Sequence, residues 1–376
     1  MHPLDISILL FSLLGHTILW VGLVNRFHGC GFPRWVIQSS NVVCGVGLVA
    51  IPLFAIATGD SGWSAAHPML PIRIYGVLCV GLALFGLVER GYWLLFAWRP
   101  PRCLIANHTE VLERICPPQS LLTRLPQNEA LDLHIHTKAL VLPGLPPQLD
   151  GFRIAHLSDL HMSGRIGKAF FERVVEHTVQ ADPDLVAITG DLFDRTHCLE
   201  WIPDTLAKLR SRYGQYFVLG NHDLRMDWQS TLQQLGGLGF VHLGGRWTTI
   251  NVRGRRVVLA GNEAPWFGRT SDLDRTAPSS SPPSALQILL AHSPNPVRWA
   301  RRHKFDLMLA GHNHGGQVCL PVVGPILAPS RQGTRYAAGV FESGPMKMHV
   351  SRGLSSLAPI RWNCPPELAI LELRAE

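Results

Sequence analysis

The chain lacks the paired cysteines that mark a thiolate metal site or a disulfide framework. Its eight cysteines are scattered along 376 residues, and no two of them form a C-x-x-C pair. Neither a zinc ribbon nor a disulfide-stapled domain is therefore supported. The chain also has no internal repeat and no dense Lys/Arg block, so its formal charge of +7 is spread along the sequence. That charge favours anionic partners, without selecting nucleic acid over a membrane surface or a phosphorylated small molecule.

Charged residues are nearly absent from three long apolar runs in the first hundred residues. The runs cover residues 6–24, 42–57 and 74–88, and the third has an aromatic extension that ends at Trp98. The first run is long enough to span a bilayer. No basic segment precedes it and no small-residue cleavage site follows it, which argues against a secretory signal. Three runs with aromatic residues near their ends favour membrane spans over buried core helices, so we predict two to three transmembrane helices within residues 1–98.

The distribution of arginines around these runs indicates an orientation. Arg26 and Arg34 lie in the first loop, and Arg99 and Arg102 follow the third run, whereas the second loop carries only Asp60. Because cytoplasmic loops are enriched in Lys and Arg, this asymmetry places the first loop and everything after residue 98 in the cytoplasm. We therefore predict a multi-pass membrane protein with a cytoplasmic catalytic domain.

After a Pro-containing connector at residues 99–130, the pattern changes to alternating strands and helices. Short strands are predicted at residues 131–137, 152–158, 185–189, 215–219, 240–243, 248–253, 256–260, 286–291 and 307–310. Helical spacing occurs at residues 168–180 and 201–213, and residues 277–284 form a Ser/Pro-rich surface loop. The βαβαβ order of the earlier segments predicts an α/β domain with a largely parallel sheet covered by helices.

Polar side chains follow the ends of five of these strands. The candidates are Asp159, Asp191, Asn221, His292, His312 and His314, with His161 two residues after the first of them. Ligands collect at the carboxyl ends of strands in open α/β sheets, so we expect these side chains to meet at one rim. Carboxylate, amide and imidazole ligands suit Mn, Fe or Zn rather than a thiolate site. Two such metals side by side can clamp a phosphoryl group and generate hydroxide at neutral pH.

The order of these clusters resembles the calcineurin-like metallophosphoesterase family, whose pattern is D-x-H, G-D-x-x-D, G-N-H-[DE], H and G-H-x-H. The chain reads D-L-H, G-D-L-F-D, G-N-H-D, A-H-S and G-H-N-H. The runs G-H-N-H-G-G-Q at 311–317 and S-R-G-L at 351–354 look like the branch called transmembrane protein with metallophosphoesterase domain. The resemblance implies a metallophosphoesterase-type sandwich of two mixed β-sheets flanked by helices over residues 131–376.

The resemblance also implies a role for each candidate ligand. Three residues would hold the first of two divalent metal ions, namely Asp159, His161 and His314. Three others would hold the second metal, namely Asn221, His292 and His312. Asp191 would bridge both metals, because a carboxylate has two oxygens to share.

Further roles concern proton transfer and substrate binding. His222 would protonate the leaving oxygen, since imidazole titrates near neutral pH, and Asp194 would orient its ring. The alternative is that the two form a hydrogen-bonded pair that merely braces the ligands. Arg165 and Arg195 are candidates for gripping phosphate with their guanidinium forks, or else ordinary surface arginines. Arg352 lies in a Ser-Arg-Gly run for which we favour a simple turn.

We therefore predict a membrane-anchored dimetal phosphoesterase that hydrolyses a phosphomonoester, phosphodiester or pyrophosphate bond by attack of a metal-bridging hydroxide. The substrate would be a phosphorylated small molecule or lipid; some relatives of the family cleave a UDP-diacylglucosamine lipid A precursor. A nuclease is the first alternative, although nucleic acid is disfavoured by the lack of basic stripes interleaved with aromatic residues. A non-catalytic membrane-attached binding module is the second, and its signature, a lost ligand, is missing. The oligomeric state stays open.

Overall fold

The structure is a computed structural model that describes residues 3–57, 70–92, 95, 101–267 and 285–376. Residues Met1–Pro100 and Pro329–Gly333 form one compact unit, and the rest of the chain forms a second. The predicted aromatic extension before Trp98, most of the second predicted loop and the Ser/Pro-rich loop at 277–284 lie outside the described residues.

The first unit contains three apolar helices, α1 (Pro3–His28), α2 (Arg34–Ala57) and α3 (Leu70–Tyr92). All three are long and apolar enough to cross a membrane, and they correspond to the three predicted runs. Each helix begins before the run that predicted it, at Pro3, Arg34 and Leu70, because helix ends are set by backbone hydrogen bonding and not by the limits of the uncharged stretch. The three helices support an association with a membrane.

A cluster of polar side chains joins the three helices. Pro52 lies inside α2 and has no N–H, so the carbonyl of Leu48 one turn earlier loses its usual donor. The His16 Nε2 atom of α1 lies 3.1 Å from that carbonyl oxygen and donates to it. His16 Nδ1 then accepts from the Tyr75 hydroxyl of α3 at 2.6 Å, and the same hydroxyl accepts from Trp20 Nε1 at 3.0 Å. One histidine therefore satisfies the carbonyl that the proline leaves open.

The second unit contains two mixed sheets. Seven strands form the first: β1 (Leu104–Leu112), β2 (Leu133–Val141), β3 (Phe152–Leu157), β4 (Leu185–Thr189), β5 (Gln215–Val218), β6 (Val241–His242) and β15 (Glu367–Arg374). Six form the second: β7 (Trp247–Val252), β8 (Arg255–Asn262), β9 (Leu286–Ala291), β10 (Leu307–Ala310), β13 (Gly339–Ser343) and β14 (Met346–Val350). A small hairpin is made by β11 (Cys319–Leu320) and β12 (Gly324–Pro325). The α/β fold with two mixed sheets confirms the predicted fold class.

Each sheet contains a run of neighbouring parallel strands. The first sheet runs β1-β2-β15-β3-β4-β5-β6 and the second runs β13-β14-β10-β9-β8-β7. Neighbours from β3 to β6 are parallel, as are β8, β9, β10 and β14. Apolar side chains of both sheets, such as Leu371 and Ile288, share one buried core. Three helices pack on the outer faces: α4 (Lys168–Gln180), α5 (Trp228–Gly237) and α6 (Val297–Arg302).

The prediction of a helix at residues 201–213 is wrong. The structure has 3-10 turns at Thr196–Asp204 and Leu206–Lys208 instead. The backbone leaves helical geometry at Thr205 (φ −117°, ψ −96°) and at Leu209 (φ −59°, ψ 136°), so no continuous helix covers these residues. The sequence also did not predict β1, which lies within the predicted connector and pairs antiparallel with β2. Most of its side chains are exposed, as at a sheet edge, so they lack the apolar alternation of a half-buried strand.

We expect His16→Leu to lower the free energy of unfolding of the helical unit by about 1–2 kcal/mol, because the Leu48 carbonyl loses its donor inside an apolar environment. Pro52→Ala should recover part of that loss, since the new N–H can bond the carbonyl within α2. The measurement is SDS titration of the full chain, followed by energy transfer between labels on α1 and α3. Thr17→Val is the control, because its hydroxyl bonds to Leu13 within α1. If His16→Leu lowered the free energy of unfolding equally in the wild-type and Pro52→Ala backgrounds, the Leu48 carbonyl would not be the partner of His16.

Candidate metal centre

Five strand ends deliver the predicted ligands to one rim of the second unit. Asp159 follows β3, Asp191 follows β4 and Asn221 follows β5 in the first sheet. His292 follows β9 and His312 follows β10 in the second sheet. Because the two sheets pack face to face, their carboxyl ends bring these five side chains, together with His161 and His314, into adjoining groups. A ligand atom of His222 also lies within 4.8 Å of those of His161 and Asp191, so this ring borders the same centre.

The first group consists of Asp159, His161 and His314, whose ligand atoms lie within 4.8 Å of one another. His161 Nε2 lies 3.3 Å from His314 Nε2, and His314 Nε2 lies 3.7 Å from Asp159 Oδ1. Two ring nitrogens and a carboxylate oxygen thus point at one small volume. This is the set predicted for the first metal.

The second group consists of Asp191, His292 and His312, again within 4.8 Å. His292 Nε2 lies 3.4 Å from Asp191 Oδ2, 3.0 Å from Asn221 Oδ1 and 3.1 Å from His312 Nδ1. Asp191 Oδ2 is also 3.4 Å from His161 Nε2 of the first group. The same carboxylate oxygen therefore faces both groups, which is the position expected of a bridging ligand.

Hydrogen bonds on the far side of three rings fit a metal in both positions. His161 Nδ1 donates to Asp194 Oδ2 at 3.1 Å, His292 Nδ1 donates to the Thr189 carbonyl at 2.8 Å, and His314 Nδ1 donates to the Ser355 carbonyl at 3.1 Å. A carboxylate or carbonyl only accepts, so each Nδ1 carries a proton and Nε2 is the nitrogen that would bind a metal in the centre. The residues present therefore fit two divalent cations.

The carboxylates of the centre also favour positive charge on the groups around them. Burial lowers the pKa of His161, but the carboxylates of Asp194, Asp191 and Asp159 outweigh burial and raise it to about 9. Burial likewise lowers the pKa of His292, and Asp191 and Asp159 raise it to about 9. In the absence of metal, protons on these two rings thus supply the positive charge that cations would otherwise supply.

Several candidate ligands have backbone conformations that L-residues seldom adopt. The φ angles are positive at Asp159 (52°), His161 (42°), Asp191 (53°), His312 (72°) and His314 (49°). Such conformations carry a cost of order 1 kcal/mol or more each and cluster at functional sites, where surrounding contacts hold them. Here they turn the chain sharply after each strand, so that the side chains reach inward.

Asp159 is held from two directions. The His312 N–H donates to its two oxygens at 3.1 and 3.0 Å, which ties the ends of β3 and β10 together. Its Oδ2 also accepts from the Ser158 hydroxyl at 2.7 Å. That hydroxyl begins a buried hydrogen-bonded chain between the sheets, which continues through Thr189, His156, His349, Lys138 and Glu367. The orientation of this carboxylate is therefore fixed by the interior of the sandwich.

His222 and Asp194 form a close pair at the edge of the centre. His222 Nδ1 donates to Asp194 Oδ1 at 2.7 Å, while the other oxygen accepts from His161. Burial raises the pKa of Asp194, but these two hydrogen bonds outweigh it, so the pKa lies well below its ordinary value. Asp194 is thus a carboxylate that orients two rings at once, and the His222 side chain keeps 15% of its surface exposed.

The two arginines predicted to bind phosphate, Arg165 and Arg195, are exposed, unlike the candidate ligands, which are buried or partly buried. Arg165 is exposed, and its guanidinium donates to the carbonyl of Leu357. Arg195 is exposed as well, and no side-chain hydrogen bond is recorded for it among the described residues. The Arg352 N–H donates to Glu367 at 2.9 Å, in line with a structured turn. The structure therefore does not bring the guanidinium groups of Arg165 and Arg195 into contact with the candidate ligands.

Sequence reasoning missed two residues that shape the centre. The Asp223 carboxylate accepts four backbone N–H groups at 2.8–3.3 Å, from Asp191, Leu192, Phe193 and Gly220. It thereby holds the turns after β4 and β5 together, and its place in G-N-H-D was a signal for such a role. The Trp266 ring lies 5.3 Å from the ring of His292 and 4.8 Å from that of His312. Nothing in the local sequence distinguished this tryptophan.

Comparison with known proteins gives consistent matches. A model of the calcineurin-like phosphoesterase family matches residues 152–316. Phosphodiesterase YaeI of Escherichia coli (strain K12) is 31% identical over 227 residues, which cover 59% of this chain and 82% of that protein. The uncharacterized metallophosphoesterase YkuE of Bacillus subtilis is 30% identical over 239 residues, covering 61% and 82%. The transmembrane protein with metallophosphoesterase domain of Danio rerio is 24% identical over 332 residues, covering 81% and 75%.

We expect metal binding to weaken as the pH falls from 9 to 6. Both His161 and His292 have a pKa of about 9 without metal, so below that pH each ring is protonated and a cation must displace the proton. Loading the full chain with Mn²⁺ at pH 7 should release about two protons per chain. Calorimetry in two buffers of different ionisation enthalpy measures this number. His161→Ala should remove about one proton from the count, whereas the exposed His108→Ala should leave it unchanged; buffer-independent heats for the wild type would refute the expectation.

Proposed function

The chain belongs to the calcineurin-like phosphoesterase family and is a metal-dependent phosphoesterase; we propose that it is a dimetal enzyme anchored in a membrane by its three N-terminal helices. The matches confirm the family that the motif order indicated. They also include proteins named for a transmembrane segment joined to a metallophosphoesterase domain. The proposal goes further in naming the site residues, the number of metals and the anchoring.

The observation that carries the dimetal proposal is the position of Asp191. Its Oδ2 lies 3.4 Å from a ring nitrogen of each candidate group, His161 on one side and His292 on the other. We assign Asp159, His161 and His314 to the first metal. We assign Asn221, His292 and His312 to the second metal and Asp191 to both.

When bound, the two cations would supply a nucleophile from water and neutralise charge on the phosphoryl group. The chain's own contribution is to hold the ligands, exclude bulk water from the buried carboxylates and provide a proton. His222 is assigned to protonation of the leaving oxygen, because its Nδ1 is fixed on Asp194 and its side chain is still partly exposed. The fixed Nδ1–H leaves Nε2 as the atom that exchanges a proton with substrate.

For the substrate we propose a phosphorylated small molecule or lipid presented at a membrane surface, with the catalytic domain in the cytoplasm. The name of the Escherichia coli relative supports a phosphodiester, and the anchoring helices make a lipid-linked ester accessible. A UDP-diacylglucosamine-type lipid A precursor is one substrate of this kind. The anchoring suits a soluble substrate as well, so a phosphate-release screen should include both kinds.

We expect Asp191→Asn to lower Mn²⁺-dependent hydrolysis of bis(p-nitrophenyl) phosphate by the full chain at least about 10³-fold. The reason is that the neutral amide oxygen cannot replace the negatively charged carboxylate shared by the two metal positions. The measurement is release of p-nitrophenol. The exposed Asp204→Asn, which removes a surface partner of Lys168, is the matched control and should retain activity. Full activity in Asp191→Asn would exclude the dimetal assignment.

A second test concerns the role of His222. If its ring donates a proton to the leaving oxygen, His222→Asn should slow hydrolysis of an alkyl ester by about 10²–10⁴-fold, and should slow a p-nitrophenyl ester, whose leaving group needs no proton, far less. Comparison of kcat for the two esters gives the result. The bracing alternative predicts the same loss for both.

A further inference from the structure

Arg361 is an unusual residue to find in the interior of this unit. Its side chain is only 1% exposed and belongs to the largest fully buried ones in the described chain. No carboxylate lies within ion-pair distance of it among the residues that the structure describes. A buried cation without an ion pair is costly unless its donors are satisfied, so its retention calls for a physical reason.

The two Nη atoms of the guanidinium group donate to five backbone carbonyls from three segments of the chain. Nη1 lies 2.7 Å from the carbonyl oxygen of Arg352, 3.3 Å from that of His314 and 3.4 Å from that of Cys364. Nη2 lies 2.7 Å from the carbonyl oxygen of Ser355 and 3.4 Å from that of Gly353. A planar fork with several donors can join loops in this way, whereas a lysine ammonium cannot span them.

These carbonyls belong to the segments that carry or touch first-metal ligands. His314 is itself a candidate ligand, and its Nδ1 donates to the same Ser355 carbonyl that Arg361 holds. The Ser355 N–H donates to the carbonyl of Asp159 at 2.8 Å. Gly353 has a φ of +74°, and a Cβ there would lie 2.8 Å from the Asp159 Cβ, so this loop passes directly against that ligand. Arg361 thus lies beneath two of the three ligands of the first metal.

The second metal position lacks this support. The recorded hydrogen bonds of the Arg361 guanidinium go to none of Asn221, His292 and His312. His292 is oriented instead by the Thr189 carbonyl at the end of β4. The two positions share Asp191, and the His312 N–H donates to Asp159, but none of the hydrogen bonds of the Arg361 guanidinium reaches a ligand assigned only to the second metal.

We propose that Arg361 is a positioning residue that fixes His314 and Asp159, and that it thereby sets the affinity of the first metal position while leaving the second unchanged. The proposal rests on the dimetal function, because it requires two metal positions to compare. Arg361 acts through the Ser355 carbonyl, which accepts from both the guanidinium group and the His314 ring and so orients that ring. Contacts behind metal ligands of this kind commonly change metal affinity by about 10- to 100-fold when they are removed.

The test compares Arg361→Lys and Arg361→Met with wild type as full chains in detergent. The metal content per chain is measured after equilibrium dialysis against a series of free Mn²⁺ concentrations. We expect two sites in wild type; in both variants one site should keep the wild-type dissociation constant, and the other should be at least about 10-fold weaker, with Lys closer to wild type than Met. Arg335→Met is the matched control, since Arg335 is exposed and lies over the Tyr336 ring.

Three outcomes decide the matter. Selective weakening of one site supports the proposal. Unchanged Mn²⁺ dissociation constants at both sites of folded Arg361 variants would overturn the proposal. Equal weakening of both sites would also overturn it, because it would indicate a general structural role for Arg361. Failure of the proposed function looks different, since wild type itself would then bind fewer than two Mn²⁺ ions.

If neither Arg361 variant folds, a measurement on the wild-type chain tests the same proposal. Amide hydrogen exchange of residues 351–361 should slow on addition of Mn²⁺ with the same midpoint as that of residues 313–317, because the guanidinium joins the two segments. Residues 351–361 exchanging at an unchanged rate while residues 313–317 become protected would overturn the proposal.

Discussion

The second unit depends on the balance of charge around Asp191. Carboxylates and imidazole lone pairs point at each other from five strand ends at distances of about 3–4 Å, an arrangement that is repulsive without positive charge between them. Protons on His161 and His292 relieve it in part, which is why their pKa values rise to about 9. A pair of divalent cations would supply the remaining positive charge. The strained turns, the fixed tautomers and the buried Arg361 are all features that keep these groups together despite their repulsion.

The fold supplies the convergence by topology. The parallel strands β3, β4 and β5 of the first sheet, and β9 and β10 of the second, end at the same side of their sheets, and face-to-face packing brings these ends together. Asp223 then closes the turns after β4 and β5 by accepting four N–H groups. In the helical unit, His16 likewise donates to the Leu48 carbonyl, which has no helical donor because Pro52 lacks an N–H. In both units a polar group that local structure cannot satisfy is satisfied by a residue far away in sequence.

The sequence predicted those parts of the fold and of the candidate site that leave a local pattern. Short apolar runs followed by Asp, Asn or His marked β3, β4, β5, β9 and β10, and their order indicated the family. Strand β1 was not predicted because its mostly exposed side chains show no alternation. The predicted helix at residues 201–213 was wrong because the backbone leaves helical geometry at Thr205 and Leu209. The roles of Trp266 and Arg361 depend on contacts between distant segments, which no local pattern reports. The exposed placement of Arg165 follows from the conformation of its loop, which the motif next to it does not determine.

The central claim is that one carboxylate, Asp191, joins two metal positions in this chain. Electron paramagnetic resonance of the full chain loaded with two Mn²⁺ ions tests it most directly, because a shared carboxylate couples the two spins. The account predicts the multiline signal of a coupled pair, which becomes the signal of isolated ions when Asp191 is replaced by Asn. Isolated Mn²⁺ signals in the fully loaded wild type would contradict it.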